Sequence, residues 1–441
     1  MKLASCAEKA MNVLYRNGFE AYAVGGCVRD RLLGKEPSDW DICTDALPEQ
    51  IINVFSDYTT YGAGIKHGTV GVVIDGNTVE ITTYRVDGEY IGHRQPAEVK
   101  FVRNLHDDLS RRDFTINALA YSESSGLIDC YGGEKDLHDG IIRAINNPSQ
   151  RFDEDALRIL RAVRFSAQLG FAIEADTYSA MLRKLPLLEE ISAERKLVEL
   201  TKTLCSENVT QVLIRNREVL AQIIPEIKPC FDFEQRNKHH SFDVWEHIAR
   251  SVERVPSDFI LRMTMLLHDI GKPPCCFADR NGNRHFKGHM AVSAKLADEI
   301  LSRLRCDKLS HRRIVKLISE HDNRFTAERI TVKRFISQYG YQFMRDYLCV
   351  RYADTMAQSE YMREEKLDNI NKISVITDEL EAENACLCIK SLAVNGDDIK
   401  NELGLSGRDI GVALHEILVA VIDERIQNSK QEIIGYLRST R

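Results

Sequence analysis

Two aspartates near the start of the chain, Asp39 and Asp41, are separated by one residue in the stretch SDWDICT. This stretch is predicted to form a strand, and because side chains alternate along a strand, both carboxylates point to the same side. Carboxylate pairs suit Mg²⁺, and two such ions about 4 Å apart can activate an attacking hydroxyl and stabilise the oxygen that leaves. Glu80, on a second predicted strand, is a candidate third carboxylate. The pattern therefore predicts a metal-dependent phosphoryl-transfer site.

A glycine pair precedes these aspartates. Gly25 and Gly26 follow the predicted strand AYAV and come before a helix start at Arg29 and Asp30. Glycines here allow backbone amides to approach a triphosphate, and Arg29 can neutralise its charge. A lone glycine pair is usually only a turn. The order GG-x-VRD, eight residues and then DxD is more specific, and it resembles the nucleotidyltransferase superfamily that includes DNA polymerase β.

The segment RRDFTINALAY, residues 111–121, adds side chains suited to a nucleotide. Arg112 can donate to a phosphate, and Asp113 can accept from a ribose hydroxyl. Asn117 follows one helical turn later. These residue types extend the predicted nucleotide site beyond the glycine pair.

A second basic segment, RFDEDALRILRAVRFSAQLGF, covers residues 151–171. Asp155 and Arg158 are three residues apart and are predicted to share one face of a helix, on which Arg161 and Arg164 continue the stripe. Such a stripe is usually a solvated, salt-bridged face. The apolar spacing predicts the helix and leaves the role of the arginines open.

Together these segments resemble the class II tRNA nucleotidyltransferases, which comprise CCA-adding enzymes and bacterial poly(A) polymerases. The resemblance extends to ISAERKLVEL, where Glu194 and Arg195 match a structural motif of the family, and to the tail segment LGLSGRDIGVALHEIL. It implies addition of CCA to tRNA from CTP and ATP, with Mg²⁺. It also implies that Asp155 accepts from the exocyclic amine of C or A while Arg158 donates to the ring nitrogen, a pairing that U and G cannot satisfy.

Three activities stay open within this resemblance. The segment from Tyr84 to Val102 resembles the loop that full CCA-adding enzymes use to change from CTP to ATP. It keeps Arg94 and Pro96 but has Gly92 and Gln95 where the family commonly has an aspartate and an arginine. Full CCA addition is the favoured interpretation, with A-only addition and poly(A) synthesis as alternatives.

A histidine-rich segment between residues 239 and 354 resembles an HD phosphohydrolase domain, with Lys272 as a candidate phosphate contact. Imidazole and carboxylate together favour Mn, Ni, Co, Fe or Zn over Mg. The alternative is a histidine scaffold that binds metal with weak or lost turnover. The resemblance implies four metal ligands and two candidates for a second ion: His247, His268, Asp269 and Asp354, then His289 and His321.

These sites require an α+β fold. Strand-like runs and glycine turns fill the first 145 residues, and helical periodicity dominates from residue 151 onward. The resemblance implies a polymerase β-like nucleotidyltransferase head with a mixed sheet, followed by an all-α neck, body, HD domain and tail. The predicted boundaries are 1–145 for the head, 146–230 for the nucleotide-selecting and RNA-binding neck and body, 231–358 for the HD domain and 359–441 for a tRNA-binding tail.

Composition limits the possible partners, the state of the cysteines and the expected location of the protein. The net charge of −7 excludes a uniformly basic nucleic-acid coat but permits a local basic channel. The twelve scattered cysteines predict reduced, mostly buried thiols, and with no membrane span or signal peptide the expected location is cytoplasmic. Oligomeric state stays open. Competing hypotheses of another class are an HD phosphohydrolase with a relic head, and a noncatalytic tRNA-binding protein.

Overall fold

A computed structural model describes residues 1–62, 64–88, 90–91, 95–96 and 99–440. The chain forms two compact units. The N-terminal unit comprises Met1–Pro225 with Arg303–Arg305, and the C-terminal unit comprises Glu226–Ser302 with Cys306–Arg441. The finer division into four domains stays a prediction.

The N-terminal unit mixes strands and helices. Its strands are β1 Ala21–Val24, β2 Trp40–Thr44, β3 Thr59–Tyr61, β4 Thr69–Ile74, β5 Asn77–Thr83, β6 Arg85–Asp87, β7 Tyr90–Ile91, β8 Gln95–Pro96, β9 Val99–Phe101, β10 Leu119–Ser122, β11 Gly126–Asp129, β12 Ile141–Ile142 and β13 Ala172–Ile173. Its helices are α1 Ser5–Arg16, α2 Gly26–Leu32, α3 Pro48–Val54, α4 Leu105–Ser110, α5 Gly133–Asp139, α6 Pro148–Glu154, α7 Leu157–Leu169, α8 Ala175–Lys184, α9 Ala193–Leu204, α10 Val209–Arg215 and α11 Arg217–Ile223.

Seven of these strands form one mixed sheet in the order β11-β10-β1-β2-β5-β4-β3. The pairing of β2 with β5 is parallel and places Asp41 opposite Glu80. The neighbouring β4–β5 hairpin turns at Asp75 and Gly76, which both have positive φ, as a tight two-residue turn requires. This sheet confirms the predicted α+β class, with a mixed-sheet head.

The two faces of β2 serve different purposes. Ile42 faces the main apolar core, which packs α1 through residues such as Ala10 and Leu14. Cys43 faces a smaller cluster with Tyr84 on the opposite side. Because side chains alternate along a strand, Asp41 lies on the Cys43 face. The main core therefore fixes the strand from behind while the Asp41 carboxylate remains available on the other side.

The C-terminal unit is helical, as predicted, apart from one short hairpin, β14 Phe277–Ala278 with β15 Arg284–His285. No helix among the described residues is both long and apolar enough to traverse a lipid bilayer. All twelve cysteines are free, but the expectation that most are buried is wrong, because only four are. The helices are α12 Val244–Arg254, α13 Phe259–Leu267, α14 His289–Arg303, α15 Lys308–Glu320, α16 Arg329–Tyr339, α17 Tyr341–Ala357, α18 Arg363–Ala382, α19 Gly396–Leu403, α20 Arg408–Ile422 and α21 Lys430–Thr440.

Candidate functional site

A cleft of about 990 Å³ opens in the N-terminal unit. It brings together all the head residues predicted to bind metal or nucleotide except Glu80, which lies exposed on β5. It also contains Arg111, Arg195 and Lys202, to which the sequence analysis assigned no site role. The predicted residues that line it are Gly25, Gly26, Arg29, Asp39, Asp41, Arg112, Asp113, Asn117, Asp155, Arg158, Arg161 and Arg164.

Carboxylates form one wall of this cleft. Burial, helped by the negative charges of Glu80 and Asp39, raises the pKa of Asp41 to about 6 against the opposing charge of Arg112. The donor set is all oxygen, which suits Mg²⁺. Within the described residues these three carboxylates do not form a group whose ligand atoms all lie within 4.8 Å of one another. The site nevertheless fits a cation, because burial and two nearby carboxylates disfavour ionisation of Asp41 and a bound cation would favour it.

The glycine pair brings the backbone close to an arginine. Gly25 has φ +79°, and a Cβ atom placed on it would lie 3.0 Å from Nη1 of Arg112. Its amide donates to the carbonyl of Leu119, 3.0 Å away, and α2 begins at the next residue. A side chain at Gly25 would therefore be strained and would displace Arg112.

A hydrogen-bonded chain joins the nucleotide-type residues. Arg29 donates to Asp30 and, over 2.7 Å, to Asn117 Oδ1, and Asn117 donates to Asp113 at 3.0 Å. Arg161 donates to the other oxygen of Asp113 at 2.8 Å. Burial raises the pKa of Asp113, but Arg161 and Asn117 outweigh burial and hold the pKa at about 2. Asp113 is therefore anionic at neutral pH.

Asp108 lies beneath two of the arginines, and the sequence reasoning missed it. Its fully buried carboxylate accepts from Arg111 at 2.7 Å and from Arg112 at 3.2 Å. Burial raises the pKa of Asp108, yet Arg112 and Arg111 together hold it below its usual value. The signal that was available is the spacing, since residues three and four apart meet on a helix surface.

The predicted shared helix face of Asp155 and Arg158 is wrong. Asp155 is extended, with φ −138° and ψ 102°, and separates α6 from α7, which begins two residues later. Its carboxylate accepts from Arg195 at 3.1 Å, whereas Arg158 donates to Glu154 at 2.7 Å and to the Arg111 carbonyl at 2.8 Å. The Asp155 carboxylate accepts a hydrogen bond from the backbone amide of Leu157. This local side-chain-to-backbone bond favours the break between α6 and α7.

Arginines surround a single buried ring at the back of the cleft. The guanidinium of Arg164 lies 4.2 Å from the ring centre of Phe165, and those of Arg29 and Arg161 lie 5.1 and 5.4 Å away. Burial lowers the pKa of Arg164, which pairs with Glu199 at 2.7 Å. Phe165 thus helps to hold three cations together by attraction to its ring face.

A second group of ligand-type residues lies in the C-terminal unit. The Nε2 atoms of His247 and His268 are 3.3 Å apart, and each lies 3.2 Å from Oδ2 of Asp269. Oδ1 of Asp354 lies 3.2 Å from His247 Nε2. On the other side, Asp269 Oδ1 lies 3.3 Å from His289. We call the six residues the histidine–aspartate cluster: His247, His268, Asp269, His289, His321 and Asp354.

The tautomers of the four histidines fit metal ligation. Each Nδ1 lies within 3.2 Å of a backbone carbonyl to which it can donate, which leaves each Nε2 as an acceptor directed inward. Acceptors that face one another and two carboxylates repel unless a cation lies between them. Because Asp269 directs one oxygen into each half of the cluster, the donor set fits two ions that share this carboxylate.

Comparison with known proteins identifies the family in which these two groups of residues occur together. Family profiles match residues 21–143 ("Poly A polymerase head domain"), 170–231 ("Probable RNA and SrmB- binding site of polymerase A") and 238–383 ("HD domain"). A CCA-adding enzyme of Staphylococcus epidermidis is 32% identical over 441 residues, covering 98% of this chain and 96% of that enzyme. The chain belongs to the CCA-adding enzyme family.

Two other members of the CCA-adding enzyme family are also similar to this chain. One from Geobacillus kaustophilus is 47% identical over 209 residues, covering 47% of this chain and 51% of that enzyme. The crystal structure of the Bacillus stearothermophilus CCA-adding enzyme in complex with CTP has 28% identity and a TM-score of 0.77, and covers 99% of this chain and 96% of that one. Gly92 and Arg94, which belong to the segment predicted to act in a change from CTP to ATP, lie outside the described residues, as do the side chains of Gln95 and Pro96.

Replacing Asp108 with Asn should damage both stability and nucleotide use. The change leaves two arginines without their buried counter-charge, so we expect a loss of about 3 kcal/mol in the free energy of unfolding. We also expect kcat/KM for nucleotide addition to fall at least about tenfold, since Arg111 and Arg112 lose their fixed positions. Urea denaturation and initial rates measure the two effects. Asp107→Asn, whose side chain is half exposed, is the matched control; equal behaviour of the two variants would contradict this role.

Asp41→Asn should stabilise the metal-free protein at high pH. The folded protein holds the Asp41 proton more tightly than the unfolded chain, with a pKa of about 6 against 3.8. Its ionisation therefore removes stability as pH rises from about 4 through 6. We expect the variant's advantage in urea with chelator to be up to about 3 kcal/mol at pH 8 and about 1 kcal/mol at pH 4.5. The exposed Asp57→Asn should show no such trend, and a flat difference for Asp41→Asn would contradict the burial argument.

Proposed function

We propose that this chain adds CCA to the 3′ end of tRNA from CTP and ATP without a nucleic-acid template. The observation that carries the proposal is the single cleft in which paired aspartates, a glycine turn and arginines meet. The family membership supports the same activity. Two Mg²⁺ ions, when bound, supply the activation of the attacking hydroxyl and the neutralisation of the leaving phosphate.

The residues of the cleft divide the work by charge. Asp39 and Asp41 are the proposed metal ligands, with Glu80 opposite Asp41 in the β2–β5 register. Arg29 and the amides after Gly25 are donors at the start of α2, and Arg112 lies against Gly25, so all of them are suited to the triphosphate. Asp113, kept anionic by Arg161, is suited to accept from a ribose hydroxyl.

Base choice is proposed to rest on Asp155 and Arg158. In the described state both side chains already have protein partners, Arg195 for Asp155 and Glu154 for Arg158. Reading a base therefore requires Asp155 to exchange Arg195 for the exocyclic amine, while Arg158 keeps Glu154 and reaches the ring with another N–H. Glu154 and Arg195 become positioning residues in this proposal.

Three tRNA transcripts test the activity. They end before CCA, after C and after CC, and each is incubated with Mg²⁺ and labelled CTP or ATP, singly and together. We expect growth to a complete CCA end and then a stop. Growth only from the CC end would identify A-only addition, unlimited A addition would identify poly(A) synthesis, and no addition would contradict the proposal.

In the same assay Asp155→Ala should incorporate UTP and GTP more readily than the wild type, and unchanged discrimination would contradict its role.

A second activity is favoured by the convergent Nε2 atoms of the histidine–aspartate cluster. We propose that it binds two divalent transition-metal ions and hydrolyses a phosphoester. In such a step water adds to phosphorus, one phosphorus–oxygen bond breaks, and the leaving ribose oxygen takes up the proton. Lys272, whose Nζ lies 2.6 Å from Asp269, is placed to attract the phosphate.

Metal content and turnover test this second activity. The purified protein should bind Mn, Ni or Co and hydrolyse 2′,3′-cyclic AMP, while His268→Ala loses both properties because it removes a ligand of the cluster. The exposed His138→Ala in the N-terminal unit is the control and should retain both. If the protein binds metal but hydrolyses nothing with Mn, Ni or Co, the hydrolase proposal is contradicted. The cluster is then the metal-binding scaffold without turnover that the sequence analysis kept as an alternative.

A further inference from the structure

The cleft above the histidine–aspartate cluster extends well beyond the cluster. Its volume is about 690 Å³, with His289, His321 and the two aspartates of the cluster among its lining residues. The β14–β15 hairpin lines the same cleft through Phe277 and His285. We propose that this hairpin is a base-stacking platform, so that the cluster acts on the phosphoester of a nucleoside. This inference rests on the phosphohydrolase activity proposed above.

Phe277 is an aromatic side chain left uncovered. It is 52% exposed although it is large and apolar. Its ring stacks on the cross-strand partner His285, with centroids 5.2 Å apart and an angle of 25° between the planes. Asp279 holds His285 through a contact of 3.0 Å and also accepts from the backbone amides of Asn281 and Asn283. The pair therefore forms a braced aromatic surface, on which a free base can stack.

The charges of the cleft favour an anion beside this surface. Asp269 and Asp354 belong to the cluster, and Asp322 is engaged by Arg324 at 2.8 Å and by Arg351 at 3.0 Å. The remaining charged lining groups are cationic. They are Lys238, Arg284 and Lys287, together with Lys272, which lies beside Asp269 of the cluster.

A ligand that satisfies both features carries a phosphate and a planar ring. Lys272 is buried beside the cluster, so the phosphate belongs at that end of the cleft. The ring belongs at the exposed hairpin. A small phosphoester without a base would use the cluster and leave Phe277 in water. The chemistry points to a nucleoside phosphoester, either free or at the end of an RNA strand.

Phe277→Ala in the full chain tests the platform. Hydrolysis is measured, with Mn²⁺, on 2′,3′-cyclic AMP, on methyl β-D-riboside 2′,3′-cyclic phosphate, which has no base, and on an RNA oligonucleotide ending in a 2′,3′-cyclic phosphate. We expect KM for the base-containing substrates to rise about tenfold, the size expected for one lost stacking contact, with kcat little changed. KM for the base-free ester should stay the same. Phe277→Trp should restore the low KM, and Tyr61→Ala, which removes a similarly exposed ring from the N-terminal unit, should have no effect.

The outcomes separate the platform from the activity. A rise in KM for both base-containing substrates identifies the nucleoside as the ligand, and a rise confined to RNA identifies a strand end. Equal changes for the base-free ester and the nucleotide would overturn the platform while the hydrolase stands. If no substrate is hydrolysed, equilibrium dialysis with labelled adenosine 3′-monophosphate decides. Binding weakened by Phe277→Ala supports the platform, and identical binding overturns it.

Discussion

The buried carboxylate of Asp108 is the interaction on which the N-terminal cleft depends. It joins Arg111 and Arg112, and it also accepts from the backbone amide of Arg85 at the start of β6. Arg111 in turn accepts from Arg158 through its carbonyl, and Arg112 lies against Gly25. Because an unpaired buried charge is strongly destabilising, the Asp108 carboxylate and the guanidinium groups of Arg111 and Arg112 must be brought together when the chain folds. One ion network therefore sets the relative positions of a strand, a turn and a helix.

Two aspartates of the same cleft respond in opposite ways to their neighbours. Burial raises the pKa of both carboxyl groups. For Asp41, Glu80 and Asp39 add to that effect and Arg112 only partly opposes it, whereas for Asp113 the contacts with Arg161 and Asn117 outweigh burial and lower the pKa. The first environment disfavours negative charge until a cation arrives. The second preserves negative charge for a hydrogen-bond donor. This contrast gives a physical basis for assigning metal binding to one and sugar binding to the other.

The C-terminal unit concentrates acceptors instead of pairing them. Four backbone carbonyls fix the histidine tautomers, so the lone pairs of the cluster converge. Burial lowers the pKa of His247, but Asp269 and Asp354 outweigh burial and raise it to about 9. The charge of the two carboxylates thus favours a cation at this point, whether a proton or a metal. The resemblance to an HD phosphohydrolase domain implied all six members, and the structure brings them together.

Residue types and local spacing predicted the fold class, the strand that carries Asp41 and the glycine turn, because local backbone geometry converts spacing over a few residues directly into position. The six members of the histidine–aspartate cluster span residues 247–354 and were predicted only through the resemblance to a known domain. Tertiary structure decided the rest. It separated Asp155 from α7 and paired it with Arg195, forty residues away. It also left Glu80 outside the cleft lining and placed Phe277 in the same cleft as residues of the histidine–aspartate cluster. Such contacts depend on which distant segments pack together, and spacing along the chain carries no record of that packing.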